Sequence, residues 1–352
     1  MELPDFTITA AIERQAIRIV ETLDEMHKSG VTDRVLRIRK LNRIRSVHSS
    51  AAIEANSLTL EQVTDVVNGK RVLGDPSEIL EIKNLYAAYN AIGTYSPFVV
   101  ADFLEAHRLV SDRLIEQPGQ FRSMQVGVYQ GMRLIHAGAP PAEVPGLMDQ
   151  IFEWGLLSNL HPLIKSSIMH YAIEYVHPFE DGNGRMGRLW QTVILANWRD
   201  VLQWIPVETV VHHNQMGYYE ALRTSEQTGD AGIFAQFMLR AIHSTLFGLI
   251  ESRETRRGED LGASETIPVI TLSDGVNDGV NDGANVRLDA TDNAILATLA
   301  RDGTLTASAL AAATGKSLRT IERRLAKLVR AGLLVRRGPA KTGVWIVEEP
   351  QQ

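Results

Sequence analysis

Twelve consecutive residues hold most of the chemistry available to this chain: His177-Pro-Phe-Glu-Asp-Gly-Asn-Gly-Arg-Met-Gly-Arg188. A histidine titrates near neutral pH and can take a proton from a hydroxyl. Asp181 is a hard oxygen donor of the kind Mg²⁺ prefers. Gly182 and Gly184, on either side of Asn183, let backbone N–H groups converge on an anion, and a helix opening at Arg185 adds the positive end of its dipole. Arg185 and Arg188, three apart, share one helix face and can fork onto phosphate oxygens. An anion cradle, a metal ligand, two guanidiniums and a base together describe phosphoryl or nucleotidyl transfer. The alternative is a structural loop with a capped helix and surface arginines. That reading would suit a lone histidine or a lone Gly-x-Gly, and it suits this many functional groups in register poorly.

Helices must hold this loop at both ends. Ile168, Tyr171, Ala172 and Tyr175 predict a helix that stops before Pro178, and Leu189, Val193 and Leu195 predict the one that follows. Upstream, Ile12, Ala16, Ile19, Val20 and Leu23 recur at helical spacing. Val35, Ile38, Leu41 and Ile44 predict a second helix running toward Ser49 and Ser50. Thr59 and Gln62 fit a capping box ahead of Val63 and Val66, and a further helix runs through Ile79, Ile82, Leu85 and Tyr89. A middle block from about Ser96 to Glu251 opens with helical Phe103 to Ile115 and breaks at Pro118-Gly119. Weak alternation at Val126 and Val128, with Gly127 and Gly131, predicts a short β-hairpin between Phe121 and His136. Helices return over Leu147 to Leu157 and Ile164 to Val176.

At every defining position the twelve residues resemble the motif of the Fic family, His-x-Phe-x-(Asp/Glu)-Gly-Asn-Gly-Arg-x-x-Arg. The resemblance implies a helical enzyme that moves AMP from Mg-ATP to a serine, threonine or tyrosine hydroxyl of a target protein or of itself. It implies His177 as the general base and Asp181 as the Mg²⁺ ligand against the α- and β-phosphates. Asn183 and the backbone around Gly182 and Gly184 would hold phosphate oxygens, Arg185 and Arg188 would meet the outer phosphates, and Phe179 would pack inward. Gly119-Gln-Phe-Arg122, the hairpin and Pro140-Pro141 look like the region of the family's target-docking flap, placed near Gly131 to Gly138. Tyr218-Tyr219-Glu-Ala-Leu222 resembles the helix near the nucleotide base, with Tyr219 as a core or wall aromatic. A homodimer is implied by resemblance alone.

Ser50-Ala-Ala-Ile-Glu-Ala-Asn56 resembles a second family signature, the inhibitory helix (Ser/Thr)-x-x-x-Glu-(Gly/Asn). Glu54 brought onto Arg188 would neutralise the charge meant for the γ-phosphate and misplace ATP, so that in-line attack is lost. Ser50 and Asn56 flank it, and Ala55 stands where glycine or asparagine is usual. The alternative is a surface glutamate at a helix end. In some members the same glutamate is thought to help water remove AMP, so a de-AMPylase using the same site stays open.

The rest of the chain sets bounds. With 352 residues, 44% of them hydrophobic, it can bury more than one core, and a net charge of -6 gives no global pull toward nucleic acid or anionic membrane. The absence of cysteine excludes disulfides, zinc-thiolate sites and thiol nucleophiles. No signal peptide and no transmembrane run are recognisable, so a cytoplasmic protein without a membrane partner is expected. The four-residue repeat from Asp274 to Asn285 reads as a linker, since as a calcium loop it lacks the closing glutamate. Beyond it, helices at Asn293 to Ala300, after Thr306 and after Ser317, then strands around Gly338-Pro339, predict a winged helix. Its third helix and hairpin are strongly basic. Arg319, Thr320 and Arg323 would face the major groove if that helix reads DNA, and a protein-interaction role is the alternative.

The expected fold is therefore mainly α: a helical core with a small β-hairpin flap, plus a C-terminal winged helix-turn-helix domain. The expected divisions are 1–95 (helical, with the inhibitory helix), 96–252 (catalytic core), 253–286 (linker) and 287–348 (winged helix). A competing function is a DNA-binding transcription regulator that senses nucleotide, in which an intact His177 would have no task. Relatives that move UMP, phosphate or phosphocholine often carry motif substitutions, and none occurs here.

Overall fold

Thr9 accepts the Ile12 N–H and opens α1 (Ala10–Lys28), whose Ile12, Ala16, Ile19 and Met26 form one buried stripe. The computed structural model describes residues 5–130 and 133–256. Further along it describes 295–296, 298–299, 305–314, 321, 324–325, 328, 334–337 and 344–347. The chain divides into two compact units, Met1–Leu272 and Ser273–Gln352.

The expected second helix is two. α2 (Val31–Arg37) and α3 (Arg39–Ile53) meet at Ile38, whose φ of -98° and ψ of 16° leave helical geometry. The apolar period runs through the join, so spacing alone conceals it. α4 (Leu60–Val67) starts at the capping box: the Thr59 hydroxyl accepts the Gln62 N–H and the Gln62 side chain accepts the Thr59 N–H. α5 (Pro76–Asn90) begins behind Asp75 with proline in its first turn. α6 (Val100–Val110) stops one turn earlier than its apolar spacing implied. The hairpin pairs β1 (Gly127–Gln130) with β2 (Arg133–Ala137), antiparallel, with an irregularity between Val128 and Tyr129; Gly131 and Met132 lie outside the described residues. Then come α7 (Val144–Leu157), α8 (Pro162–Val176), α9 (Asn183–Trp198), α10 (Val207–His213), α11 (Gln215–Thr228) and α12 (Ala231–Arg256).

Two apolar clusters fill this unit. One joins α3 to α7 with the facing sides of α8 and α9, through Val47, Leu85, Phe103, Ile173 and Trp190. The other joins α1, α2 and α10 to α12 with the opposite sides, through Ile19, Leu163, Tyr171, Leu195 and Phe234. α8 and α9 feed both, so the loop between them is clamped from two directions. By length and composition α12 could cross a membrane over Ala231–Ile250; 67% of that stretch is buried, packed on α1, α8, α10 and α11.

In the second unit Ile295, Leu299, Leu310, Ile321, Leu325 and Leu328 share one small core, with Trp345 against it. A helix spans Ala307–Thr314, and β3 (Leu334–Arg337) pairs antiparallel with β4 (Val344–Val347), Arg336 opposite Trp345. These are the helix and wing positions the apolar spacing predicts. The repeat at 274–285 and the residues Arg319, Thr320 and Arg323 lie outside the described residues.

Candidate active site

α8 ends at His177 because Pro178 has no N–H to continue it, and the chain turns there through a left-handed residue, φ 54° and ψ 61°. That conformation costs a non-glycine residue about 1 kcal/mol or more. Arg122 offsets it. Buried at 6% exposure, its Nε donates to the His177 carbonyl at 2.7 Å, its Nη2 to the carbonyls of Ala139 and Val176, and its Nη1 to that of Met124. Gly138 is required beside it: a Cβ there would stand 2.8 Å from Arg122 Nη2 and 3.1 Å from His177 Cβ. Nδ1 of His177 faces the Glu174 carbonyl at 3.3 Å, which favours the Nδ1–H tautomer and leaves the Nε2 lone pair available. Burial pushes this imidazole below its ordinary value, partly opposed by the Glu174 carboxylate.

The remainder of the loop is tied inward. Phe179 is fully buried and stacks on His107 at 3.6 Å. His107 accepts the Gly119 N–H at Nδ1, so Nε2 donates to the Asp181 carbonyl at 3.0 Å; burial pushes this ring down to about 4, and it stays neutral. Asn183 spends its side-chain amide on both backbone groups of Phe179, at 2.8 and 2.9 Å. What Asn183 leaves for an anion is its backbone N–H, in the first turn of α9, which starts without a side-chain cap after left-handed Gly182.

The two arginines lie buried behind that helix start, Arg185 at 7% and Arg188 at 3% exposure. Arg188 donates Nε to Ser50 Oγ at 3.1 Å and Nη2 to the Ser50 carbonyl at 3.0 Å and Glu54 Oε1 at 2.7 Å. Ser50 stands in the last turn of α3 and Glu54 caps it four residues on, which explains their spacing. A Cβ on Gly184 would overlap Glu54 Oε1 and stand 3.2 Å from Arg188 Nη1, so the Glu54 carboxylate lies in the anion cradle itself. Arg185 donates Nη1 to Glu81 and Nη2 to Asp181 Oδ2 at 2.7 Å. Arg188 Nη1 and Arg185 Nε are buried and have no hydrogen-bond partner among the described residues. Burial pulls the Arg188 guanidinium down, but the Glu54 carboxylate outweighs it and holds it above its ordinary range.

Asp181 turns Oδ1 to the Gly182 N–H at 2.6 Å and keeps its side chain 59% exposed. Partial burial pushes this carboxyl up, and Arg185 with the Gly182 N–H outweighs it, so it stays ionised below the usual range. Among the described residues no cluster of three or more ligating side chains exists. One open carboxylate beside an anion cradle fits Mg²⁺, which keeps its waters and shares phosphate oxygens, better than a cation needing a full protein cage.

The end of α3 is a Schellman turn. The Asn56 N–H returns to the Ala51 carbonyl and the Ala55 N–H to that of Ala52, with Ala55 left-handed at φ 68°. Ala55→Gly is therefore expected to stabilise the protein by about 1 kcal/mol and raise Tm by about 2–4 °C. A thermal unfolding scan showing no gain would remove strain at Ala55 from the account. Tyr219, 45% exposed, and Gln215 both donate to the Ile53 carbonyl, at 3.2 and 2.8 Å, so Tyr219 walls the site and braces α3. The structure thus brings together His177, Asp181 to Arg188, Ser50, Glu54, Asn56 and Tyr219. Sequence reasoning missed Glu81, His107 and Glu174; His107 stands out only as a polar residue on the apolar face of its helix, and Glu81, among other polar residues of α5, carries no signal of its own.

Comparison with known proteins bears on this geometry. Residues 97–195 match the model of the Fic/DOC family, and 288–335 match that of a winged helix-turn-helix DNA-binding domain. The crystal structure of a Fic family protein from Desulfovibrio desulfuricans G20 is 34% identical, with a TM-score of 0.68 and both chains covered in full. A Fic domain containing signaling protein from Bacteroides thetaiotaomicron shares the fold at 18% identity and a TM-score of 0.56. The protein adenylyltransferase Fic of Nematostella vectensis is 28% identical over 218 residues, 58% of this chain and 48% of its own. That of Aedes aegypti is 26% identical over 292 residues, 75% and 56% respectively. The chain spans about half the length of the curated relatives it matches.

Proposed function

The chain belongs to the Fic family, and from that premise we propose that it is a protein adenylyltransferase, moving AMP from ATP to a protein hydroxyl and restrained by Glu54. The observation that carries this reading is the pair of buried guanidiniums, each with an N–H unpartnered among the described residues, at the glycine-built start of α9 beside a histidine with a free Nε2. Buried donors of that kind are worth most where negative charge arrives.

In the proposed reaction the first-turn N–H groups of α9 and the two arginines seat the phosphates. His177 Nε2 takes the proton of the target hydroxyl as its oxygen bonds to the α-phosphorus. The bond from that phosphorus to the bridging oxygen breaks, and pyrophosphate leaves with its electron pair. Asp181 would hold Mg²⁺, which supplies charge neutralisation on the phosphates when bound. Arg122 keeps the His177 backbone in its left-handed turn, and Phe179 with His107 keeps the loop from unfolding into solvent. The Fic family names of the relatives and the intact motif support AMP as the group moved.

The test is ATP labelled in either the α- or the γ-phosphate, given with Mg²⁺ to the protein alone and with cell extract. Label reaching protein from the α-position only is expected. Folded, ATP-binding protein that moves no α-label, with or without Glu54, sinks the reading. For the second unit, the winged-helix match and its basic residues support duplex DNA as a ligand. A gel shift that weakens with salt and with Arg319→Ala/Arg323→Ala is expected, and one indifferent to both would discard it.

A further inference from the structure

The two buried arginines are held in different ways. Arg188 is gripped from the end of α3, through Ser50 and the capping Glu54. Arg185 has one carboxylate from its own loop, Asp181, and one from α5, Glu81, which lies 104 positions away in the chain. Asp181 is the exposed member of that pair, and substrate phosphates with their cation would draw it away. The Glu81 side chain is only 12% exposed, and both its oxygens are in use. Oε1 takes Arg185, while Oε2 takes the amide of Asn56 at 2.7 Å. Asn56 is the residue whose N–H closes the turn after Glu54, and its amide also reaches the Glu78 carbonyl at 3.2 Å. A single largely enclosed carboxylate therefore ties a phosphate-facing arginine to the turn that carries the inhibitory glutamate.

We propose that Glu81 is the positioning residue that couples the inhibitory turn to the phosphate site, aiming Arg185 with one oxygen and seating Glu54 through Asn56 with the other. The proposal rests on the adenylyltransferase reading above. It divides into two effects of opposite sign. With Glu54 present, loss of Glu81 frees the turn and transfer rises. With Glu54 removed there is no brake to loosen, and loss of Glu81 leaves Arg185 with its exposed partner alone, so ATP is held less well.

Glu81→Ala is expected to raise basal AMP transfer about fivefold or more with Glu54 intact. In the Glu54→Gly background it is expected to raise KM for ATP about tenfold with little change in kcat, the scale of one charge-assisted hydrogen bond. Glu81→Gln keeps an oxygen for Arg185 but turns an N–H₂ group toward the Asn56 amide. It should loosen the brake while sparing most ATP affinity, and it serves where the alanine variant folds poorly. Asn56→Ala removes the inhibitory arm alone and should raise transfer only when Glu54 is present.

Calorimetry of Mg-ATP with Glu54→Gly/His177→Ala protein, with and without Glu81→Ala, reads the Arg185 arm without turnover, and about tenfold weaker binding is expected. Unchanged ATP affinity there, or a Glu81→Ala change that shifts transfer in the same direction with Glu54 present and with Glu54 removed, overturns the proposal. If no variant moves α-label, the adenylyltransferase reading and the inhibitory arm fall together, while the calorimetry still decides the hold on Arg185.

Discussion

His177→Ala is expected to abolish transfer from the α-phosphate, with a loss of at least about 10²–10⁴-fold, while Mg-ATP still binds. The side chain has one free nitrogen, because Nδ1 faces the Glu174 carbonyl, and Nε2 is the base that would meet the target hydroxyl. Neither histidine packed beside the loop can substitute for it. His107 is committed at both nitrogens to the loop, and His136 to Glu226 and the Tyr175 carbonyl. The pH profile follows from the same geometry. Burial holds His177 below the ordinary histidine value of 6.5, and the base works unprotonated. Activity of the Glu54→Gly protein should therefore be flat above that value and fall only as pH drops through the depressed one. Initial rates of α-label transfer between about pH 5 and 8 check this. An acid limb centred above 7, or His177→Ala protein within tenfold of its parent, would remove His177 as the base.

The second large effect is release. Glu54→Gly should raise transfer by about 10- to 100-fold, the range of a typical coupling between sites. The Glu54 carboxylate occupies the cradle between Gly184 and Arg188, where an anion of the substrate would sit, and it takes Arg188 Nη2 at 2.7 Å. Its removal leaves a buried guanidinium short of a partner. The same variant should therefore lose about 1–2 kcal/mol of stability, a figure reduced because the Glu54 side chain is 33% exposed. Saturating Mg-ATP should restore it, since ligand bound to the folded state alone raises stability. Rates and melting curves of wild type and variant, each with and without ATP, measure both. A Glu54→Gly protein no faster than wild type would show that Glu54 is not a brake.

What the sequence disclosed is what lies close together along it. The loop from His177 to Arg188 is continuous, so its functional groups are in register before any folding is considered. The Thr59 and Gln62 cap and the Ser50 and Glu54 spacing are local in the same sense. Inward packing of Phe179 also held. What stayed hidden is set by distant packing. Arg122 reaches the His177 carbonyl across 55 positions and Glu81 reaches Arg185 across 104, and no periodicity records such pairings. The break at Ile38 was masked because Val35, Ile38, Leu41 and Ile44 keep one spacing across it, although α2 packs into one cluster and α3 mainly into the other. The Asn183 amide turned to Phe179, although a polar residue in an anion loop reads naturally as a ligand for the anion.

Arg122 carries one more consequence. Its guanidinium ends on four main-chain carbonyls, those of Met124, Ala139, Val176 and His177, and among the described residues on no side chain. Carbonyls are common to every residue type, so these four bonds place no demand on the side chains of the residues that offer them, and Gly138, where a Cβ would stand 2.8 Å from Arg122 Nη2, is the fixed position beside them. Apart from Gly138, residues between Met124 and Ala139 can then change without loosening these bonds to the His177 turn. On the adenylyltransferase reading, such an arrangement would let the outer surface of the hairpin diversify while the reaction is inherited unchanged.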